Sequence, residues 1–223
     1  MDFSTAICDR SGQVIVQGLN LPLHLGAVPD AMEVFLQEFG NSIQPDDVYL
    51  LNDPYLGGMH LPDMFVSRPL FFRNVHVGFA VVVAHHTDVG GRVPGSSAAD
   101  SSEIYAEGLR LPPLRLDSGG VRNETLEKII RANVRLPQTL FADLQAQITA
   151  CRIAEERYRD FCAEFGVKEV ERVTAEIIDD AEAKTRAAIA ALPDGVYSAE
   201  DFIDDAGIDL SPVRISVSIT IHG

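Results

Sequence analysis

The chain has 223 residues, 46% of them apolar and 23% charged, the balance of a globular protein that buries a core rather than of a disordered one. Its 33 acidic residues against 18 basic ones leave a formal charge of -15. That excludes the basic face that a nucleic-acid backbone or an anionic membrane surface demands. Cys8, Cys151 and Cys162 form no CxxC pair, and the last two lie eleven apart on one helical stretch, so no disulfide is expected and a reduced, cytoplasmic compartment follows. No basic segment followed by an apolar core opens the chain, and the longest apolar run, Gly78 to Ala84, falls far short of the roughly 20 residues that span a bilayer.

In chain order, Ser4 to Cys8 and Gln13 to Gln17 flank a Ser-Gly turn and read as a hairpin. "PDAMEVFLQEFG" (Pro29 to Gly40) reads as a short helix, and Asp47 to Asp53 and Val77 to His86 as strands bounded by turn residues. The Gly/Ser/Pro-rich stretch Val89 to Leu116 has no sustained period. Its punctuation by Ile104, Tyr105, Leu109 and Leu111 predicts an ordered loop packed on the body. From Glu124 the pattern turns helical: one helix after an Asn or Glu cap, a long amphipathic one from Pro137 to Gly166, and a third over Lys168 to Leu192 closed by "PDG". Val213 to Ile221 alternates strictly, predicting a strand with one face buried. The expectation is a mixed α/β fold: a β-rich region over 2–120 with long ordered loops, a helical region over 121–192, and the start of a further β region over 193–223. The pattern does not favour a doubly wound parallel sheet over an irregular mixed one.

Of six histidines, His76 and His222 read as surface residues, and His24, in "NLPLHLGAVP", as a packed loop residue, with lining a pocket as the alternative. His60, Asp63, His85 and His86 differ in setting. "NDPYLGGMHLPDM" places a His and a carboxylate on a kinked loop, and "VVVAHHTDVGG" places two histidines at the end of an apolar strand. Imidazole and carboxylate together suit Zn, Mn or Fe. Strand alternation turns His85 and His86 to opposite faces, so at most one of them is a direct ligand and the other is free for a supporting hydrogen bond or substrate contact. From spacing alone, a structural turn and a metal site both remain open. "VGGRVPG" lacks the GK[ST] ending of a phosphate loop.

Seven segments in order, "DFSTAICDRSG", "LPLHLGAVPD", "NDPYLGGMHLPDM", "AHHTDVGGRVPGS", "EIYAEGLRLPPLRL", "GGVRNETLEKIIRANVR" and "DLQAQITACRIAEER", resemble the hydantoinase B family. These are the B-type subunits of N-methylhydantoinases, 5-oxoprolinases and caprolactamase, related to the alpha subunits of acetone and acetophenone carboxylases. The resemblance implies a two-component enzyme. An A-type partner binds ATP and phosphorylates the carbonyl oxygen of a cyclic amide, and the B-type component hydrolyses the activated ring at a divalent metal. It implies Asp2, His60, Asp63 and His85 as metal ligands, Asp2 being nominated by the resemblance alone. His86 is then a candidate catalytic residue that orients water or substrate, and Arg92 and Arg110 are candidates for binding a carboxylate or phosphate. Family members normally extend beyond both ends of this chain, so a fragment, inactive without the remainder and its partner, is expected. A carboxylase alpha-type component is the alternative.

Overall fold

The computed structural model describes residues 2–207, 209 and 211–222. Its centre is a seven-stranded, wholly antiparallel sheet built from β1 (Phe3–Cys8), β2 (Val14–Gln17), β3 (Val48–Leu51), β4 (Asp63–Phe72), β5 (Val75–His85), β6 (Leu114–Ser118) and β7 (Val121–Arg122). The spatial order is β2-β1-β5-β4-β3-β6-β7, so the two longest strands, β4 and β5, lie in the middle. Helix α1 (Pro22–Phe39) covers one face; α2 (Glu124–Asn133) and α3 (Pro137–Phe165) cover the other. Helix α4 (Val167–Ala190) follows, and β8 (Gly195–Ile203) pairs with β9 (Val213–Ile221) in a separate hairpin.

Side chains on the sheet separate by the two-residue period of a strand. Tyr49, Leu51, Phe65, Val81 and Val83 pack with Val28, Met32 and Phe35 of α1. Val48, Leu50, Met64, Val66 and Val82 pack with Leu140, Leu144 and Ile148 of α3. Each large side chain sealed this way contributes roughly 1.5–3 kcal/mol. Because both faces are covered, β4 is buried at nearly every position and shows none of the alternation that marks a half-exposed strand. Pro69 also lies within it, opposite Phe79 of β5 and beyond the last β4 residue that pairs with β3, Ser67, so its missing N–H costs no bond to β3.

Three polar contacts fasten the layers. Arg68 of β4 points into the α3 face and donates from Nε to Glu155 Oε2 at 3.0 Å. Gln147 of α3 donates from Nε2 to the Met64 and Val82 carbonyls at 2.9 and 3.1 Å, and its Oε1 meets His86 Nε2 at 2.9 Å. Asp88 clamps the long loop: Oδ1 accepts from the N–H groups of Gly90 and Arg135, and Oδ2 from the Gly95 N–H and the Arg135 guanidinium. The loop is therefore ordered and packed. Val89 and Leu111 are buried, and Ile104 and Leu109 lean on the same core, whereas Tyr105 faces outward.

The predicted hairpin, helices α2 to α4 and three unbridged cysteines are present. Two expectations need correction. Helix α1 begins at Pro22, not Pro29, because Pro22 occupies the first turn, where its missing N–H is no loss. It then runs through Pro29 because His24, Val28, Ala31, Met32 and Phe35 form one buried stripe. The alternating strand at 213–221 exists, but its apolar face is not buried. Val213, Ile215, Val217 and Ile219 are 39–56% exposed, since β8 is its only partner strand among the described residues.

Two outcomes follow. Gln147→Leu leaves two backbone carbonyls and an imidazole without their partner in the sheet–α3 layer. Urea unfolding is expected to show a loss of about 2–3 kcal/mol, and an unchanged midpoint would contradict this role. For Asp88, burial pushes the carboxyl upward, but the three N–H groups and the Arg135 guanidinium outweigh it and hold the pKa below the ordinary value. A depressed folded-state pKa stabilises above the unfolded value and is lost as pH falls through the folded one. Asp88→Asn is therefore expected to lose about 3 kcal/mol at neutral pH, with the gap to wild type closing below about pH 4.

Candidate metal centre

The centre lies at one end of the three neighbouring strands β1, β5 and β4. Asp63 opens β4 and His85 closes β5, and the two are direct cross-strand partners. The His85 N–H donates to the Asp2 carbonyl at 3.0 Å, which extends the β1–β5 ladder by one residue past Phe3. Counting by twos from Ala6, Phe65 and Val83, which face α1, puts Asp2, Asp63 and His85 on the α1 side as well.

His60 arrives from the connecting turn. Asp53 caps a single helical turn over Pro54–Leu56 by accepting from the Tyr55 N–H at 3.0 Å. The chain then reverses through Gly57, at φ +88°, where a Cβ would fall 2.6 Å from the Ala31 nitrogen of α1. Only glycine permits that approach and that conformation. Buried Asn52 ties the turn to the long loop, donating to the Leu61 and Leu109 carbonyls and accepting from the Leu111 N–H.

His60 Nδ1 lies 2.8 Å from Asp63 Oδ2, and one ligand atom each from His60, Asp63 and His85 falls within a 4.8 Å span. The hydrogen bond to Asp63 raises the His60 pKa; burial opposes it, and the charges of Asp63, Asp2 and Glu107 reinforce it. Asp63 is 1% exposed, and its Oδ1 is buried without a hydrogen-bond partner among the described residues. A buried carboxylate oxygen left so is costly unless a cation or donor meets it. Two imidazoles and a carboxylate, with a second carboxylate at Asp2, form a donor set that fits Zn, Mn or Fe.

Three of the four nominated ligands, His60, Asp63 and His85, are thus brought into one cluster, and Asp2 shares their face of the sheet without joining that 4.8 Å group. The other nominated residues lie elsewhere. His86, fully buried, turns to the α3 face and Gln147, and burial lowers its pKa. Arg92 pairs with Asp100 on the long loop. Arg110 donates to Asp53 Oδ2 at 2.7 Å, lies over the Tyr55 ring, and lines an open cavity of about 570 Å³ with Leu56, Tyr105 and Asn133. One member of the cluster, although it lies in the segment "LPLHLGAVPD", is not among the nominated site residues. His24, on α1 and 3% exposed, places Nε2 3.5 Å from both Asp2 Oδ1 and Asp63 Oδ2. The signal that could have found it is the stripe from His24 to Phe35, which continues the helical period back through Pro29.

Comparison with known proteins agrees with this architecture. The family model described as hydantoinase B/oxoprolinase matches residues 1–223. The chain is 35% identical over 222 residues to the beta component of the caprolactamase of Pseudomonas jessenii, covering 100% of this chain and 38% of that one. The solved ATP-dependent caprolactamase of that organism superposes with a TM-score of 0.94 at 35% identity, again over 100% of this chain and 38% of its own. The B component of a putative D-/L-hydantoinase of Pseudomonas sp. (strain NS671) is 32% identical, with 100% and 39% covered. The delta component of the acetophenone carboxylase of Aromatoleum aromaticum is 27% identical, with 96% and 31% covered. The chain therefore spans less than two fifths of the length of these relatives. No helix among the described residues is long and apolar enough to cross a membrane. The chain belongs to the hydantoinase B/oxoprolinase family.

Proposed function

We propose that this chain carries the metal centre of an ATP-dependent cyclic amidase, a B-type component that opens a lactam or hydantoin ring after an A-type partner has activated it with ATP. The observation that carries the reading is that His60, Asp63 and His85 bring one ligand atom each within a 4.8 Å span, while Asp63 Oδ1 is buried without a hydrogen-bond partner among the described residues; Asp2 adjoins them on the same sheet face. Support also comes from the relatives named as components of a caprolactamase and a hydantoinase.

An amide carbonyl is a poor electrophile, and phosphorylation of its oxygen by the partner converts that oxygen into part of a leaving group. A divalent Zn, Mn or Fe ion, when bound, would supply Lewis acidity and water activation at neutral pH. The protein's own contribution is positional. Asp63 and His85 are held by sheet register, and His60 by a turn locked against α1. Arg110, oriented by Asp53, is our first candidate to meet an anionic group of the substrate or the phosphate, and Arg92, paired with Asp100, is the second. His86 is assigned to support: it joins the end of β5 to α3 behind the ligand His85. The setting of such a pair is the cytoplasm, where ATP is available.

Similarity to a component of an acetophenone carboxylase favours a second reading, in which the same centre serves carboxyl transfer. A bicarbonate requirement for turnover would select it over ring hydrolysis.

The test is metal content beside stability. Purified chain is expected to hold close to one equivalent of Zn, Mn or Fe, and the His60→Ala/Asp63→Ala double variant to hold none. Removing the ion with a chelator should lower the melting temperature of wild type only. Returning it at a hundred times its Kd should restore about 2.7 kcal/mol. A folded wild type that neither holds an ion nor responds to the added metal would contradict the proposal.

A further inference from the structure

We infer that His24 is a positioning residue of the metal centre, tethering the Asp2 and Asp63 carboxylates to helix α1. The inference rests on the metal reading above and concerns a residue outside the four ligands.

His24 is buried, so both ring nitrogens need partners. Nδ1 lies 3.1 Å from Ser4 Oγ, a closer partner for that hydroxyl than the Leu21 carbonyl at 3.5 Å. With Nε2 turned toward carboxylates, the ring hydrogen is assigned to Nε2, and the Ser4 hydroxyl then donates to Nδ1. Nε2 faces two carboxylate oxygens, each at 3.5 Å. A lone pair there would confront two anions, whereas an N–H is drawn to both across contacts at the long limit of a hydrogen bond. The imidazole thus bridges a buried carboxylate, Asp63, and an exposed one, Asp2, whose side chain is 54% exposed and sits ahead of the first strand. Its own place is fixed twice. Ser4 lies on β1, two residues beyond Asp2, and the turn through Gly57 presses on the Asp30–Ala31 backbone of the same helix. Carboxylate ligands steadied by such donors hold their metal more tightly, and loss of the donor typically weakens binding 10–100-fold.

The experiment measures Zn2+ affinity by chelator competition and records the Co2+ absorption spectrum for purified wild type, His24→Ala, His24→Gln and Ser4→Ala. His24→Ala should bind Zn2+ about 10–100-fold more weakly while keeping the Co2+ band positions, because the ligand set is intact. His24→Gln, whose amide N–H can still donate, should recover most of the loss, and Ser4→Ala should fall between wild type and alanine. Metal-free melting curves show which variants fold. Should His24→Ala fail to fold, His24→Gln and Ser4→Ala decide the question. Wild-type affinity in His24→Ala would overturn the inference, and so would shifted Co2+ bands with no rescue by glutamine, the mark of a direct ligand. Failure of the wild type itself to bind either ion would remove the metal reading, and the tether with it.

Discussion

The register of β4 against β5 is the constraint on which the rest of the site depends. Asp63 stands opposite His85, and one step further along the neighbouring ladder the His85 N–H meets the Asp2 carbonyl. A slip of one residue would carry His85 to the α3 face and bring His86 forward, exchanging a proposed ligand for the residue that Gln147 now holds. Register is specified strongly here because both faces of the sheet are sealed. Phe65, Val81 and Val83 fit only beneath α1, and Met64, Val66 and Val82 only beneath α3. The hydrophobic layers therefore do more than stabilise. They decide which polar side chains share a face at the strand ends.

The other residues of the candidate centre are brought to that frame by local chemistry. His60 reaches Asp63 because Asp53 caps one turn and Gly57 lets the chain approach α1 to a distance that no side chain would allow. His24 comes from the first turns of α1, so the helix that closes one face of the core also contributes to the centre. A buried carboxylate with an orphaned oxygen is an unfavourable element in a core. It is reasonable where a cation or a strong donor completes it, and the ion proposed for this centre would be that cation.

How much of this the sequence reveals depends on exposure. Strands with period-two patterning and helices with clear ends, such as α3 between Pro137 and Gly166, are readable because one face meets water. β4 is not, since burial on both sides erases alternation and Pro69 argues against a central strand. His60 and Asp63 are readable as a pair because they lie three apart on one turn. Asp2 is far from them along the chain, and only the resemblance to a family nominates it. His24 is hidden by the two prolines around it, which suggest a loop although the apolar stripe beyond continues its helix. The exposed apolar face of β9 shows the opposite limit: alternation predicts a strand but not what covers it.

The most direct test of the central claim is anomalous diffraction at the absorption edge of Zn or Mn from crystals of the protein supplied with that ion. The account predicts a single strong peak enclosed by Asp2, His60, Asp63 and His85, with His24 beside the two carboxylates and His86 on the far side of the sheet. A peak elsewhere, or an ordered site with no peak, would contradict it.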